Sequence, residues 1–130
     1  MIPVLGLIVG LIVGIFLPGE IPSEYSIYVA VGILAALDSV MGGGVAAMEE
    51  RFDIKMFLSG FLGNIFLAVL LTFIGDKMGI QLYMAAIFAF GTRLFANFAT
   101  IRRLLIKKYS KNKAIEKDKV EDNVIQEEGR

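Results

Sequence analysis

Two residues of opposite charge lie inside otherwise apolar segments of this 130-residue chain. Asp38 interrupts the apolar run at about 25–48, and Arg93 interrupts the run at about 82–101. A carboxylate and a guanidinium can form an ion pair, relay a proton or hold an ion, provided that they lie close together. Asn64, in a third apolar run at about 56–74, can donate and accept hydrogen bonds at the same site.

The positions of these polar residues within their runs predict a common depth. Asp38 lies ten residues and Arg93 eight residues before the end of its run, and Asn64 lies eight residues after the start of its own. At ~1.5 Å per helical residue, the two charges lie about 15 Å and 12 Å from the same membrane surface. We predict one intramembrane polar cluster of Asp38, Asn64 and Arg93, with Asn97 one turn below Arg93 as a support for it.

This cluster has three interpretations. The first interpretation is an ion pair that orients the helices, with Asn64 bonding to either partner. Pairing is expected because a charge at the centre of a bilayer costs roughly 2.5–3.5 kcal/mol. A site for an ion, a proton or a lipid head group is the second. Pairing between subunits is the third.

Several kinds of chemistry are excluded or disfavoured. The chain has no Cys and no His, which removes Ser-His-Asp and Cys-His catalytic devices and makes a zinc, copper or iron site improbable. The carboxylates near the membrane form no recognisable catalytic motif. We therefore expect no enzymatic activity, no metal and no cofactor.

The apolar runs predict an all-α polytopic membrane protein. The composition is 56% hydrophobic and the mean hydropathy is +0.69. Four spans are predicted at about 2–17, 25–48, 56–74 and 82–101, as two helical hairpins, because about 20 helical residues cross the hydrocarbon core. The first run is short; as a cleaved signal peptide it would lack both a basic start and a small-residue cleavage site.

Basic residues predict the orientation. The second loop holds Arg51 and Lys55, the third holds Lys77 alone, and nine of the 13 Lys and Arg residues lie at or after residue 102. Because cytoplasmic loops carry the excess of Lys and Arg, both termini are expected in the cytoplasm. A membrane domain at 1–108 would be followed by a flexible charged tail at 109–130, disordered or at most a frayed helix. The cations predicted to contact anionic lipid are Arg102, Arg103, Lys107 and Lys108.

A weak internal repeat is also present. Tyr28 precedes Asp38 by ten residues, and Tyr83 precedes Arg93 by ten, so both pairs of positions are offset by 55 residues. The offset predicts a parallel tandem repeat of two hairpins. The alternative is chance similarity between apolar segments.

Small residues form two stripes. Gly6, Gly10 and Gly14 share one face of the first run, and Gly60 and Gly63 form a patch in the third. Such faces let helices approach closely in lipid, and the partner could belong to the same subunit or to another.

Gly42, Gly43 and Gly44 are consecutive, and each weakens a helix by about 1 kcal/mol relative to Ala. They predict a kink or an early end of the second helix. A phosphate-binding loop is disfavoured because no Lys-Ser/Thr follows.

Three segments resemble the small basic protein family. They are residues 33–39, residues 57–61 with Asn64, and residues 82–91 continuing through Arg93, Asn97 and 101–103. The resemblance implies a bacterial membrane protein of uncharacterised activity, whose genes commonly lie near cell-division and cell-wall genes. This chain departs from the family in its acidic tail, which makes it neutral, with 13 bases and 13 acids.

The residues predict a non-enzymatic membrane scaffold or adaptor, and the resemblance implies that it acts in the envelope or division machinery of a bacterium, in the plasma membrane. The expected partners are membrane lipids, further copies of the chain and cell-division or cell-wall membrane proteins, with no nucleic acid. The alternative is a small oligomeric transporter or channel subunit that uses the layer of Asp38 and Arg93.

Overall fold

The computed structural model describes residues 2–130 and confirms the all-α class. The four helices are α1 (Ile2–Phe16), α2 (Ser23–Met48), α3 (Ile54–Met78) and α4 (Tyr83–Glu128). By length and composition, α2, α3 and α4 are able to cross a membrane. The shorter α1 has 15 residues and is about 22 Å long at 1.5 Å per residue.

Local sequence explains where the helices begin and end. Pro18 follows α1, and Pro22 precedes α2. The Asp53 side chain accepts hydrogen bonds from the backbone N–H groups of Lys55 and Met56, at 2.8 and 3.0 Å, and so caps the start of α3. Gly79 ends α3 in the left-handed conformation, with φ of 68°, which glycine adopts without steric cost.

Helix α2 is the centre of the bundle, and both α3 and α4 pack along it. Contacts between α2 and α3 join Ser39 to Asn64 and Tyr28 to Asp76, so the two helices are antiparallel. Between α2 and α4, Arg93 lies next to Asp38, 55 residues apart in sequence. Asn97 lies next to Gly42 at the same separation, so α2 and α4 are parallel. Helix α1 packs only sparsely on α2.

The buried core is small and lies between α2, α3 and α4. Its fully packed apolar members are Val31, Ala35, Ala68, Ala86 and Phe90. Most other large apolar side chains are exposed on the outside of the bundle. A bundle with this distribution is suited to a hydrocarbon surrounding, because lipid does not expel apolar side chains into a core.

The predicted early end of the second helix is wrong, because α2 continues through residues 42–44 to Met48. A Cβ atom added at Gly43 would lie 2.8 Å from the Phe57 ring, and one at Gly42 would lie 3.5 Å from the Asn97 amide. The glycines therefore allow α3 and α4 to approach α2, and this packing offsets their low helix propensity. A kink at these glycines stays a prediction.

The segment at 109–128 differs from the predicted disordered or frayed tail, because it continues α4 as regular helix. No Gly or Pro interrupts the chain between Gly91 and Gly129, and opposite charges four residues apart, such as Lys117 and Glu121, support the helix. The 28 residues from Ile101 to Glu128 are about 40 Å long at 1.5 Å per residue. Flexibility of this segment, and a domain boundary at residue 108, stay predictions.

Candidate functional site

The structure brings Asp38 and Arg93 together between the parallel helices α2 and α4. The Nη2 atom of Arg93 lies 3.2 Å from Oδ2 of Asp38. The Asp38 side chain is 0% exposed, whereas that of Arg93 is 57% exposed. The pair is thus asymmetric, with a carboxylate enclosed by helices and a guanidinium at the edge of an opening.

The Asp38 carboxylate relies on Arg93 for its compensation. Neither of its oxygens accepts a well-oriented hydrogen bond from the residues that the structure describes. A buried charge without hydrogen bonds is strongly penalised in a low-dielectric setting, so the nearby guanidinium is the main favourable interaction of this carboxylate.

Asn64 lies in the same layer but bonds to a different residue from the predicted ones. Its Nδ2 donates to Oγ of Ser39 at 3.0 Å, and not to Asp38 or Arg93. Consecutive helical residues point about 100° apart, so Asp38 faces α4 while Ser39 faces α3. Sequence reasoning missed Ser39, although a hydroxyl next to Asp38 in an apolar run was a usable signal.

Asn97 lies one turn below Arg93, as its spacing predicts, but its amide lies beside Gly42 of α2. Within the described residues no hydrogen bond joins it to Arg93, so the predicted support of Arg93 is not seen. The small Gly42 leaves space for this amide at the α2–α4 contact.

A second polar contact ties the opposite ends of α2 and α3. The Tyr28 hydroxyl donates a hydrogen bond to the Asp76 carboxylate. Sequence reasoning treated Tyr28 only as part of the repeat and did not pair it with Asp76. Together with the Asn64–Ser39 hydrogen bond, this bond fixes the antiparallel register of α2 and α3 at two levels.

The predicted glycine stripes have no helix packed against them in the described chain. A Cβ atom added at Gly6, Gly10, Gly14, Gly60 or Gly63 would meet nothing within 4 Å. The α1 stripe instead faces an apolar groove of about 680 Å³. The opposite walls of this groove are formed by Ile33, Ala36, Leu37, Val40, Phe57 and Phe61. Close packing within one chain is therefore not seen, and packing against another subunit stays a prediction.

The four cations expected at the lipid surface are all exposed. They lie on α4 directly after its apolar part, and they are Arg102, Arg103, Lys107 and Lys108. This placement suits a membrane–water interface, and their contact with anionic lipid stays a prediction. Among residues 2–130, no group of three or more acidic side chains is arranged to hold a metal ion.

These features define a class, that of small all-α membrane proteins with an ion pair between parallel helices. Residues 21–106 match the model of a family described as a protein of unknown function (DUF1290). The chain belongs to this family, the small basic protein family.

Curated bacterial relatives support the same assignment. The small basic protein of Bacillus subtilis is 46% identical over 117 residues, which cover 90% of this chain and 97% of the relative. Uncharacterised proteins of Mycobacterium bovis and Mycobacterium tuberculosis are 40% identical over 104 residues, covering 78% of this chain and 79% of each relative. No solved structure matches the chain.

Proposed function

We propose that this protein is a non-enzymatic scaffold or adaptor of the bacterial cell membrane. All four helices cross the bilayer as two hairpins, with both termini in the cytoplasm. The basic residues of the α2–α3 loop and of α4 beyond residue 101 support this orientation. The short α1 spans by lying nearly upright or by thinning the bilayer locally.

The predicted tandem repeat supports a specific site for association. The contacts Asp38–Arg93 and Gly42–Asn97 join residues 55 apart, which is the offset of the repeat. In such a repeat α1 corresponds to α3 and α2 corresponds to α4, so α1 is expected to pack on α4 as α3 packs on α2. Among the described residues α1 makes no contact with α4. The corresponding side of α4 is therefore open to a helix of another subunit or protein.

One observation carries the proposal, namely the unpacked glycine face of α1. Apolar helices in lipid gain little from burial against each other, so association depends on close packing at small residues. The face of Gly6, Gly10 and Gly14 offers such a surface on one wall of the apolar groove between α1 and the α2–α3 side of the bundle, and no described helix fills this groove. A membrane protein that keeps a contact surface open is suited to bind partner helices.

Leucine at Gly6, Gly10 and Gly14 is expected to reduce cross-linked complexes in native membranes about tenfold, equivalent to ~1.4 kcal/mol, because the added side chains fill the face. Quantitative cross-linking of the tagged protein measures this effect. A matched control changes Ile8 and Ile12 to leucine, since both are half-exposed on the same helix and no glycine is filled. Equal complex formation by the glycine variant and the control would overturn the proposal.

The proposed partners are cell-division or cell-wall membrane proteins and further copies of the chain. The family resemblance supports this assignment, since the genes of the family commonly lie near cell-division and cell-wall genes. The same cross-linked complexes, once identified by mass spectrometry, separate a self-assembly from a mixed one. The alternative of an oligomeric transporter or channel subunit requires complexes that contain several copies of this chain, because four helices leave no room for a pore in one subunit.

A further inference from the structure

A second groove separates α3 from α4 on the side where Arg93 is exposed. Both helices pack on α2, but they pack far less on each other, and an opening of about 280 Å³ results. We call this opening the Arg93 cleft. Its inner part is formed by Ser39, Gly42, Gly43, Gly60, Asn64 and Arg93.

The depth and the exposure of Arg93 favour water in the cleft. Arg93 lies nine residues before Arg102, which is about 14 Å along the helix from the basic membrane boundary. A guanidinium that faces hydrocarbon at this depth is strongly unfavourable, and arginine in such positions faces a partner or an aqueous cavity. Asp38 covers one side of the guanidinium, while 57% of the Arg93 side chain stays exposed.

The cleft reaches the α2–α3 loop, and this gives water a way in. Its outer part is lined by Arg51, Phe52 and Asp53, which follow the end of α2. In the proposed orientation this loop lies in the cytoplasm. A volume of about 280 Å³ is well above what a single water needs.

Hydrogen-bond donors converge on the inner part of the cleft. Only Nη2 of Arg93 contacts Asp38, which leaves the other N–H groups of the guanidinium available. Ser39 accepts a hydrogen bond from Asn64, so its own O–H is free to donate. The one carboxylate that lines the cleft, Asp53, accepts hydrogen bonds at the start of α3. N–H and O–H donors around an arginine whose position is fixed by Asp38 are suited to bind a phosphate oxyanion.

We propose that the Arg93 cleft is filled with water from the cytoplasmic side and that it binds a phosphate group through Arg93. The phosphate belongs either to an anionic phospholipid of the inner leaflet or to free inorganic phosphate. Binding of this kind goes beyond a scaffold role, because it links the helix bundle to a ligand that enters from the cytoplasm.

The chain contains no cysteine, so single cysteines report access directly. Gly60→Cys, which lines the cleft, is expected to react with a charged, membrane-impermeant thiol reagent at least tenfold faster than Gly63→Cys in inverted membrane vesicles. Gly63 is the matched control, because it is an exposed glycine on the same helix that does not line the cleft. Equal rates at the two positions, or faster labelling in right-side-out vesicles, would contradict an aqueous cytoplasmic cleft.

Ligand binding is tested with the Gly60→Cys protein in a phosphate-free detergent. Inorganic phosphate or phosphatidylglycerol is expected to slow labelling at least threefold, and the one that does so identifies the source of the phosphate. Arg93→Lys keeps the positive charge but loses the planar fork, so the protection is expected to weaken severalfold. The proposal fails when neither compound slows labelling, or when the Arg93→Lys protein is protected as well as the parent at equal helicity.

Discussion

Arg93→Gln is expected to lower the free energy of unfolding by about 2–3 kcal/mol, because the enclosed Asp38 carboxylate then loses the cation that compensates it. More than half of the Arg93 side chain is exposed, so the change removes the charge with little loss of packing. Unfolding of the purified protein in mixed micelles, followed by helicity, measures the loss.

Adding Asp38→Asn to Arg93→Gln is expected to recover most of that loss, since removing both charges leaves no unpaired ion. Exchanging the two residues is expected to recover far less. Asp38 is fully enclosed, and an arginine side chain has no space at that position.

Asp118→Asn is a suitable control, because Asp118 is exposed on the extended part of α4 and its change is expected to stay within about 0.5 kcal/mol. The double-mutant cycle gives the coupling energy of residues 38 and 93 directly. A coupling below about 0.5 kcal/mol would show that the two charges act independently, against the ion-pair account.

Gly75→Ala is expected to cost about 2–3 kcal/mol, through a steric clash at the turn between α3 and α4. The new Cβ atom would lie 2.5 Å from the backbone oxygen of Ile80 and 2.9 Å from the backbone nitrogen of Leu82. Backbone atoms cannot rotate away as side chains do. The turn must therefore shift, and it carries α4 with it.

Gly63→Ala provides the matched comparison on the same helix. Its new methyl group would meet nothing within 4 Å, so the variant gains up to about 1 kcal/mol from helix propensity. The same unfolding measurement compares both proteins. Equal stabilities of the Gly75 and Gly63 variants would contradict the close approach of the turn to α3.

Much of the architecture follows from one-dimensional patterns. Apolar runs of sufficient length predict helices that cross a membrane, and their isolated charges must be paired. For this reason counting residues from the end of each run placed Asp38 and Arg93 at the same depth, and the structure brings them to 3.2 Å. Which neighbour Asn64 bonds cannot be obtained by counting, because it depends on the rotation of α3 about its axis.

Tertiary packing accounts for the remaining differences. The glycines at 42–44 predict a weak helix by propensity alone. Their missing side chains let residues of α3 and α4 pack closely against α2, and this packing offsets the low propensity. The tight position of Gly75 arises from the path of the following turn, which composition does not specify. The long α4 results from uninterrupted helix-forming residues after 101, where the polar composition alone favoured disorder.

The most direct test of the account concerns the parallel alignment of α2 and α4 that places residues 38 and 93 together. Cysteines are introduced as a pair at Gly42 and Asn97, and as a control pair at Gly42 and Phe95, which lies 76% exposed on α4. In native membranes under mild oxidation, the account predicts a disulfide within one chain for the first pair and none for the second. A disulfide in the second pair but not in the first would contradict it.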